Sequence, residues 1–210
     1  MELSERIPGR NAKEIYALIR QQGTASRQLL QEKSNLTGST LTRVLDELIT
    51  QGLVEAGGFG QSTGGRRPIL YRTRPDYAYV FGLDISRTTS RLILCDLHLN
   101  KMDAKLWQMN EDMTPERMLD DVAASITQMM EKHGIDKDAV LGLGIGAVGP
   151  LDRFQGIILE PLYFPASGWK NVPVCRQLRE RLGFPVMLEN GVNTALLGEY
   201  WADTGSDHEH

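Results

Sequence analysis

Cysteine is nearly absent from this chain. Cys95 and Cys175, alone among 210 residues, are too few and too far apart for a disulfide framework or a zinc site. Cys95 ends the apolar run Leu92-Ile93-Leu94-Cys95 and reads as a small buried hydrophobe. No secretion signal is visible, because Met1-Glu2-Leu3-Ser4-Glu5-Arg6 lacks a basic segment followed by an apolar one. No run is long enough to span a bilayer; the longest uncharged stretch, residues 139–151, is short and rich in glycine. A reducing, cytoplasmic setting is expected, with no membrane partner, no cofactor and no metal site.

What is present is ordinary in bulk and uneven in detail. Hydrophobic residues make up 41% and charged residues 24%, as in a typical folded domain. The net charge of -4 hides an asymmetry: residues 1–75 carry 11 Lys/Arg against 7 Asp/Glu, and residues 76–210 carry 12 against 20. A basic first third joined to an acidic remainder suggests two modules, the first suited to a polyanion. Pro75-Asp76 marks the boundary.

In the first module Asn11 is a candidate N-cap for a helix reaching about Gln22, and Gly23 ends it. Ser26 opens a second, short helix carrying Leu29 and Leu30. After the polar turn Ser34-Asn35-Leu36-Thr37 comes the cleanest helical signal in the chain, with Leu41, Val44, Leu45, Leu48 and Ile49 on one face and Gly52 closing it. A generic three-helix bundle shares this periodicity. The start of the third helix favours a helix-turn-helix instead: Thr37, Ser39, Thr40, Thr42 and Arg43 put short hydroxyls and a guanidinium where a recognition helix meets bases and phosphates. Strands over residues 53–56 and 69–71 then flank the glycine-rich loop of residues 57–68, a hairpin wing. Gly65, Arg66 and Arg67 are its candidate DNA contacts, since arginine enters narrow minor grooves, although a solvated surface loop has the same composition. No Gly-Lys-Ser/Thr follows the glycines, which removes the nucleotide-loop reading.

In the second module, strands are expected over residues 79–85, 91–97 and 105–109. A helix capped by Thr114 with Pro115 at its first turn should run to about Gly134, burying Leu119, Val122, Ile126, Met129 and Met130. Residues 140–147 form a continuous apolar strand, read as buried on both faces. A helix over 174–182, a strand over 185–188 and a helix over 192–201 follow, so the module is a mixed sheet covered by helices. Asp84-Ile85-Ser86, Gly146–Pro150 and Glu189-Asn190-Gly191 all fall at carboxyl ends of strands, where clefts open in such sheets. Asn190 can donate to and accept from a hydroxyl; a Gly-Pro turn can equally serve only to reverse the chain.

Together these residues resemble the ROK family of sugar-responsive repressors and sugar kinases. The marks are Gly64-Gly65-Arg66-Arg67-Pro68, Gly82-Leu83-Asp84-Ile85, Gly142 through Asp152, Gly168-Trp169-Lys170-Asn171-Val172-Pro173, and Leu188 through Glu199. The resemblance implies an α/β chain with an N-terminal winged helix-turn-helix (residues 1–75) and an actin-like ATPase, ribonuclease H-like effector domain (residues 76–210) with only its first lobe present. It implies Gly149 and Asn190 as effector contacts. Kinase members carry an Asp after the Glu-Asn pair as the base, where this chain has Gly191, and a Gly-Gly-Thr phosphate loop, where it has Ser86-Arg87-Thr88-Thr89. Family repressors usually continue into another lobe with a cysteine-rich zinc motif; this chain stops after the polar tail Asp207-His208-Glu209-His210, either as a fragment or as a shortened protein.

The expectation is therefore a non-enzymatic repressor, a homodimer or higher homo-oligomer, binding a double-stranded DNA operator and a sugar or sugar-phosphate effector. A ROK sugar kinase with a DNA-binding arm is the alternative.

Overall fold

The computed structural model describes residues 3–60 and 67–191. The chain divides into two compact units, Met1–Tyr77 and Ala78–His210. In the first, a short helix α1 (Leu3–Arg6) precedes α2 (Gly9–Gln22), α3 (Arg27–Lys33) and α4 (Gly38–Thr50). Apolar residues three and four apart decide which side of each helix turns inward. Ile15, Tyr16 and Ile19 of α2, Leu30 of α3, and Leu41, Val44, Leu45 and Leu48 of α4 are buried in one cluster. Ser26 caps α3 by accepting from the Leu29 amide, and Thr37 caps α4 by accepting from the Thr40 amide.

Helix α2 departs from expectation: it opens at Gly9 behind Pro8, two residues ahead of Asn11, and Pro8 supplies no side-chain cap. Proline's locked backbone angle sets the chain direction there and outweighs the capping preference of Asn11, which lies inside the helix.

Strands β2 (Val54–Phe59) and β3 (Ile69–Thr73) form an antiparallel hairpin, and β1 (Ala25–Ser26) pairs with the other edge of β3. The first hairpin strand extends to Phe59 rather than ending at Ala56, because a bulge keeps the ladder going: Ala56 faces Tyr71 and Gly58 faces Leu70. Gly58 has φ +114°, open to glycine and strained for a side chain.

The second unit is a five-stranded sheet in the order β10-β7-β4-β5-β6. Its members are β4 (Tyr79–Ile85), β5 (Thr89–Asp96), β6 (Lys101–Gln108), β7 (Val140–Ala147) and β10 (Val186–Asn190). Strands β4, β5 and β6 are antiparallel neighbours, whereas β4, β7 and β10 run parallel. Strand β6 begins at Lys101, earlier than expected, because Asp96 makes the preceding turn tight: its carboxylate accepts from the His98 and Asn100 amides at 2.8 and 2.9 Å. A small hairpin of β8 (Leu151–Asp152) and β9 (Ile157–Ile158), absent from the sequence expectation, follows β7.

Helices α5 (Pro115–His133) and α6 (Val174–Leu182) supply Met118, Leu119, Val122, Ile126 and Leu178 to the core, against Leu83, Ile85, Leu92, Leu94, Leu143 and Ile145 of the sheet. Strand β7 is not buried along its whole length as expected; Leu143 and Ile145 are buried but Gly144 between them is exposed. Composition misleads here because alternating glycines carry no side chain to bury. The helix expected over residues 192–201 lies outside the described residues. No helix among the described residues is long and apolar enough to cross a membrane.

Candidate nucleic-acid interface and ligand cleft

The first candidate site is the start of α4. Thr37 and Ser39 are exposed, Thr40 and Thr42 are half-buried, and Arg43 is exposed one turn on. These side chains are not equally available. The Thr37 hydroxyl caps the helix and lies 3.2 Å from that of Ser39 and 2.9 Å from that of Thr40. The Thr42 hydroxyl donates to the Gly38 carbonyl at 2.8 Å, so its proton is used within the helix. Arg43 makes no ion pair among the described residues. Thr37, Ser39 and Arg43 are thus the exposed groups of this turn, and in the Thr37–Ser39 and Thr37–Thr40 hydroxyl pairs either partner can donate.

Arg27, missed in the sequence, reaches from α3 to donate to the Gly38 carbonyl at 2.9 Å. It brings a second guanidinium to the start of α4, and no periodicity links residues eleven apart across a turn. In the hairpin Arg72 pairs with Glu55 at 2.7 Å, and just after it Arg74 pairs with Asp76 at 2.6 Å. Arg67 is exposed. Gly65 and Arg66 lie outside the described residues.

The second candidate site gathers at the carboxyl ends of the parallel strands of the second unit. Register sets Asp84 opposite Gly146 and Asn190 opposite Ala147, so three segments far apart in sequence share one edge. Asn190 stands so close to Gly149 that a Cβ added there would sit 3.5 Å from the Asn190 side-chain nitrogen Nδ2. The Glu189 carboxylate accepts from the Asn190 amide at 2.8 Å and from Arg153 at 3.1 Å. Arg153, from the β8–β9 turn, is a contributor that no sequence spacing singled out. Burial raises the Asp84 carboxyl above its ordinary range, with Arg91 opposing. Arg87 donates to the Leu162 carbonyl at 2.9 Å, tying the loop after β4 to a distant segment.

At Gly191 a Cβ would meet nothing nearer than the Ala147 carbonyl oxygen at 3.6 Å. The position has room for a side chain and carries none, so no carboxylate stands beside Asn190 at that point. Among the described residues no cluster of three or more His, Cys, Asp or Glu side chains is placed to hold a metal ion.

A sheet with three antiparallel strands leading into parallel neighbours, in this order and backed by α5 and α6, is an actin-like, ribonuclease H-like α/β lobe. The chain belongs to the ROK family, whose model matches residues 80–210. It is 28% identical over 176 residues to the xylose repressor of Caldicellulosiruptor bescii, covering 84% of this chain and 43% of that protein. It is 33% identical over 132 residues to the glucokinase of Thermotoga maritima, covering 62% of this chain and 39% of that one. The crystal structure of a ROK family transcriptional regulator, a homologue of the E. coli MLC protein, matches the fold with a TM-score of 0.58 at 21% identity, over 89% of this chain and 46% of the other. The chain spans about half the length of the curated relatives it matches.

Proposed function

We propose that this protein is a cytoplasmic, sugar-responsive transcriptional repressor that acts as a homodimer or higher homo-oligomer. Residues 1–75 serve as a winged helix-turn-helix: α4 enters the major groove by its first turn, and the β2–β3 hairpin is the wing. Residues 76–210 sense the effector, a sugar or sugar phosphate held in part by Asn190 and the Gly149 turn. Effector binding shifts the population toward a form with low operator affinity.

The observation that carries this reading is the start of α4, where Thr37, Ser39 and Arg43 are exposed while Leu41, Val44, Leu45 and Leu48 hold the helix down. Gel-shift titration of the full chain against a DNA pool, with and without a panel of sugars, tests it. A preferred duplex released by one sugar is the expected result; no preference over random DNA refutes it. Arg43→Ala and Arg67→Ala should each weaken binding and lower the salt slope by about one.

The glucokinase relative favours a second reading, a sugar kinase bearing a DNA-binding arm. Gly191 speaks against it, since phosphoryl transfer to a sugar hydroxyl needs a group to take the proton. Sugar-dependent ATP consumption by the unaltered chain, well above background, would establish that reading instead.

A further inference from the structure

The hairpin carries two large apolar side chains that its own core does not use. Phe59 is 67% exposed and Ile69 is 42% exposed, and the two are direct cross-strand partners. Along β3 the side chains of Thr73, Tyr71 and Ile69 share one face, because successive strand residues alternate. Thr73 is buried and Tyr71 packs against the helical core. Phe59 and Ile69 continue that face past the end of the core and form an apolar step.

The surroundings of the step identify what it meets. Among the described residues 57–60 and 67–71 there is one arginine, Arg67, and no carboxylate. Arg67 is exposed two residues before Ile69, and the Gly60 amide donates to the Pro68 carbonyl at 2.9 Å, so the ladder continues past the pair. Gly57, Gly58 and Gly60 keep one strand thin beside the phenyl ring. An exposed aromatic beside an arginine suits a DNA minor groove, which is walled by phosphates and apolar deoxyribose faces and, at about 6 Å wide, takes single side chains rather than a two-stranded ribbon. A contact between two copies of the chain has no need of a patch stripped of carboxylates.

We infer that Phe59, backed by Ile69, is an apolar wedge that seats against the minor groove and widens or bends it when the hairpin engages DNA. The inference rests on the repressor reading and adds a deformation-dependent contribution to specificity, which favours flexible pyrimidine–purine steps at the wing.

The test uses the full chain and the duplex it enriches from a random-sequence pool, labelled at both ends so that energy transfer reports bending. Phe59→Ala should weaken binding about tenfold and reduce the bend, with an unchanged salt slope because no phosphate contact is lost. Phe59→Leu should keep most of the affinity. Arg67→Ala should lower the slope, which separates wedge from charge. Affinity and bend within twofold of the unaltered chain for Phe59→Ala would overturn the wedge while leaving the repressor reading in place. Conversion of an oligomer to monomer by Phe59→Ala, seen in sedimentation, would overturn it in favour of a self-interface. If the unaltered chain retains no DNA, wedge and repressor reading fall together. The exposure of Phe59 and of Arg67 keeps the core out of all three substitutions, and circular dichroism checks this.

Discussion

At the scale of single residues, one charged cluster lies away from both candidate sites. The Asp103 carboxylate on β6 receives Lys132 at 2.8 Å and His133 at 3.0 Å from the end of α5. Those two hydrogen bonds, with the Ala104 amide, hold its carboxyl down to about 2. A folded-state value below the unfolded one means that the ionised form stabilises the fold above about pH 4, and that this contribution is lost as pH falls toward 2. Asp103→Asn should therefore lower the melting temperature at pH 7 by a few degrees, and the gap to the unaltered chain should close between pH 4 and 2 in parallel thermal scans. A gap independent of pH would mean that shape rather than charge matters there. His133 was no candidate in the sequence, and its pairing with a residue thirty positions away has no local signal.

At the scale of elements, the caps at Ser26 and Thr114 were legible because their chemistry is local, whereas Asn11 is no cap and the Thr37 cap was not read. Thr114 accepts from the Arg117 amide at the start of α5, and Thr37 does the same for Thr40 at the start of α4. The Thr37 cap is also in the proposed DNA-facing turn, so stability and binding are superimposed in one side chain. Substitution separates them. Thr37→Ala should cost about 1 kcal/mol in urea denaturation and weaken DNA retention. Thr37→Asp should restore the cap and the stability, since aspartate accepts the same amide, yet leave binding impaired by placing a carboxylate toward phosphate. Recovery of both would show that Thr37 serves the helix alone. The extension of β2 to Phe59 was illegible, because glycines depress strand propensity while the bulge that accommodates them depends on the partner strand.

At the scale of the molecule, two hydrophobic clusters share no member. One joins α2, α3 and α4 with Leu53 and Val54, and the other lies between the sheet and helices α5 and α6. The first unit contains no tryptophan, and Trp107 and Trp169 are buried in the second. Trp169 is locked there by its indole nitrogen, which donates to the Met113 carbonyl at 3.1 Å. Tryptophan fluorescence thus reports on one unit, while far-ultraviolet circular dichroism reports on both. Leu41→Ala removes a fully buried side chain from the first cluster and should destabilise that unit by about 2–5 kcal/mol. The dichroism transition should shift and broaden while the fluorescence midpoint stays in place. Midpoints that move together would reveal strong coupling between the units.

Local chemistry carried much of the architecture from the sequence alone. Apolar periodicity marked α4 and α5, Ser26 and Thr114 marked helix starts, and the unbroken apolar run from Val140 to Ala147 marked a strand with both of its ends. Each depends on residues within one or two turns of one another, so one chain suffices to read them. The candidate cleft was legible only as three separate strand ends. Parallel pairing of β4, β7 and β10 decided that Asp84, Gly149 and Asn190 share one edge, and folding alone brought Arg153 to Glu189, Arg27 to Gly38, and Phe59 to Ile69. These are contacts between segments whose separation along the chain sets no distance in space. Only the closing of sheet and helix around a common core fixes it.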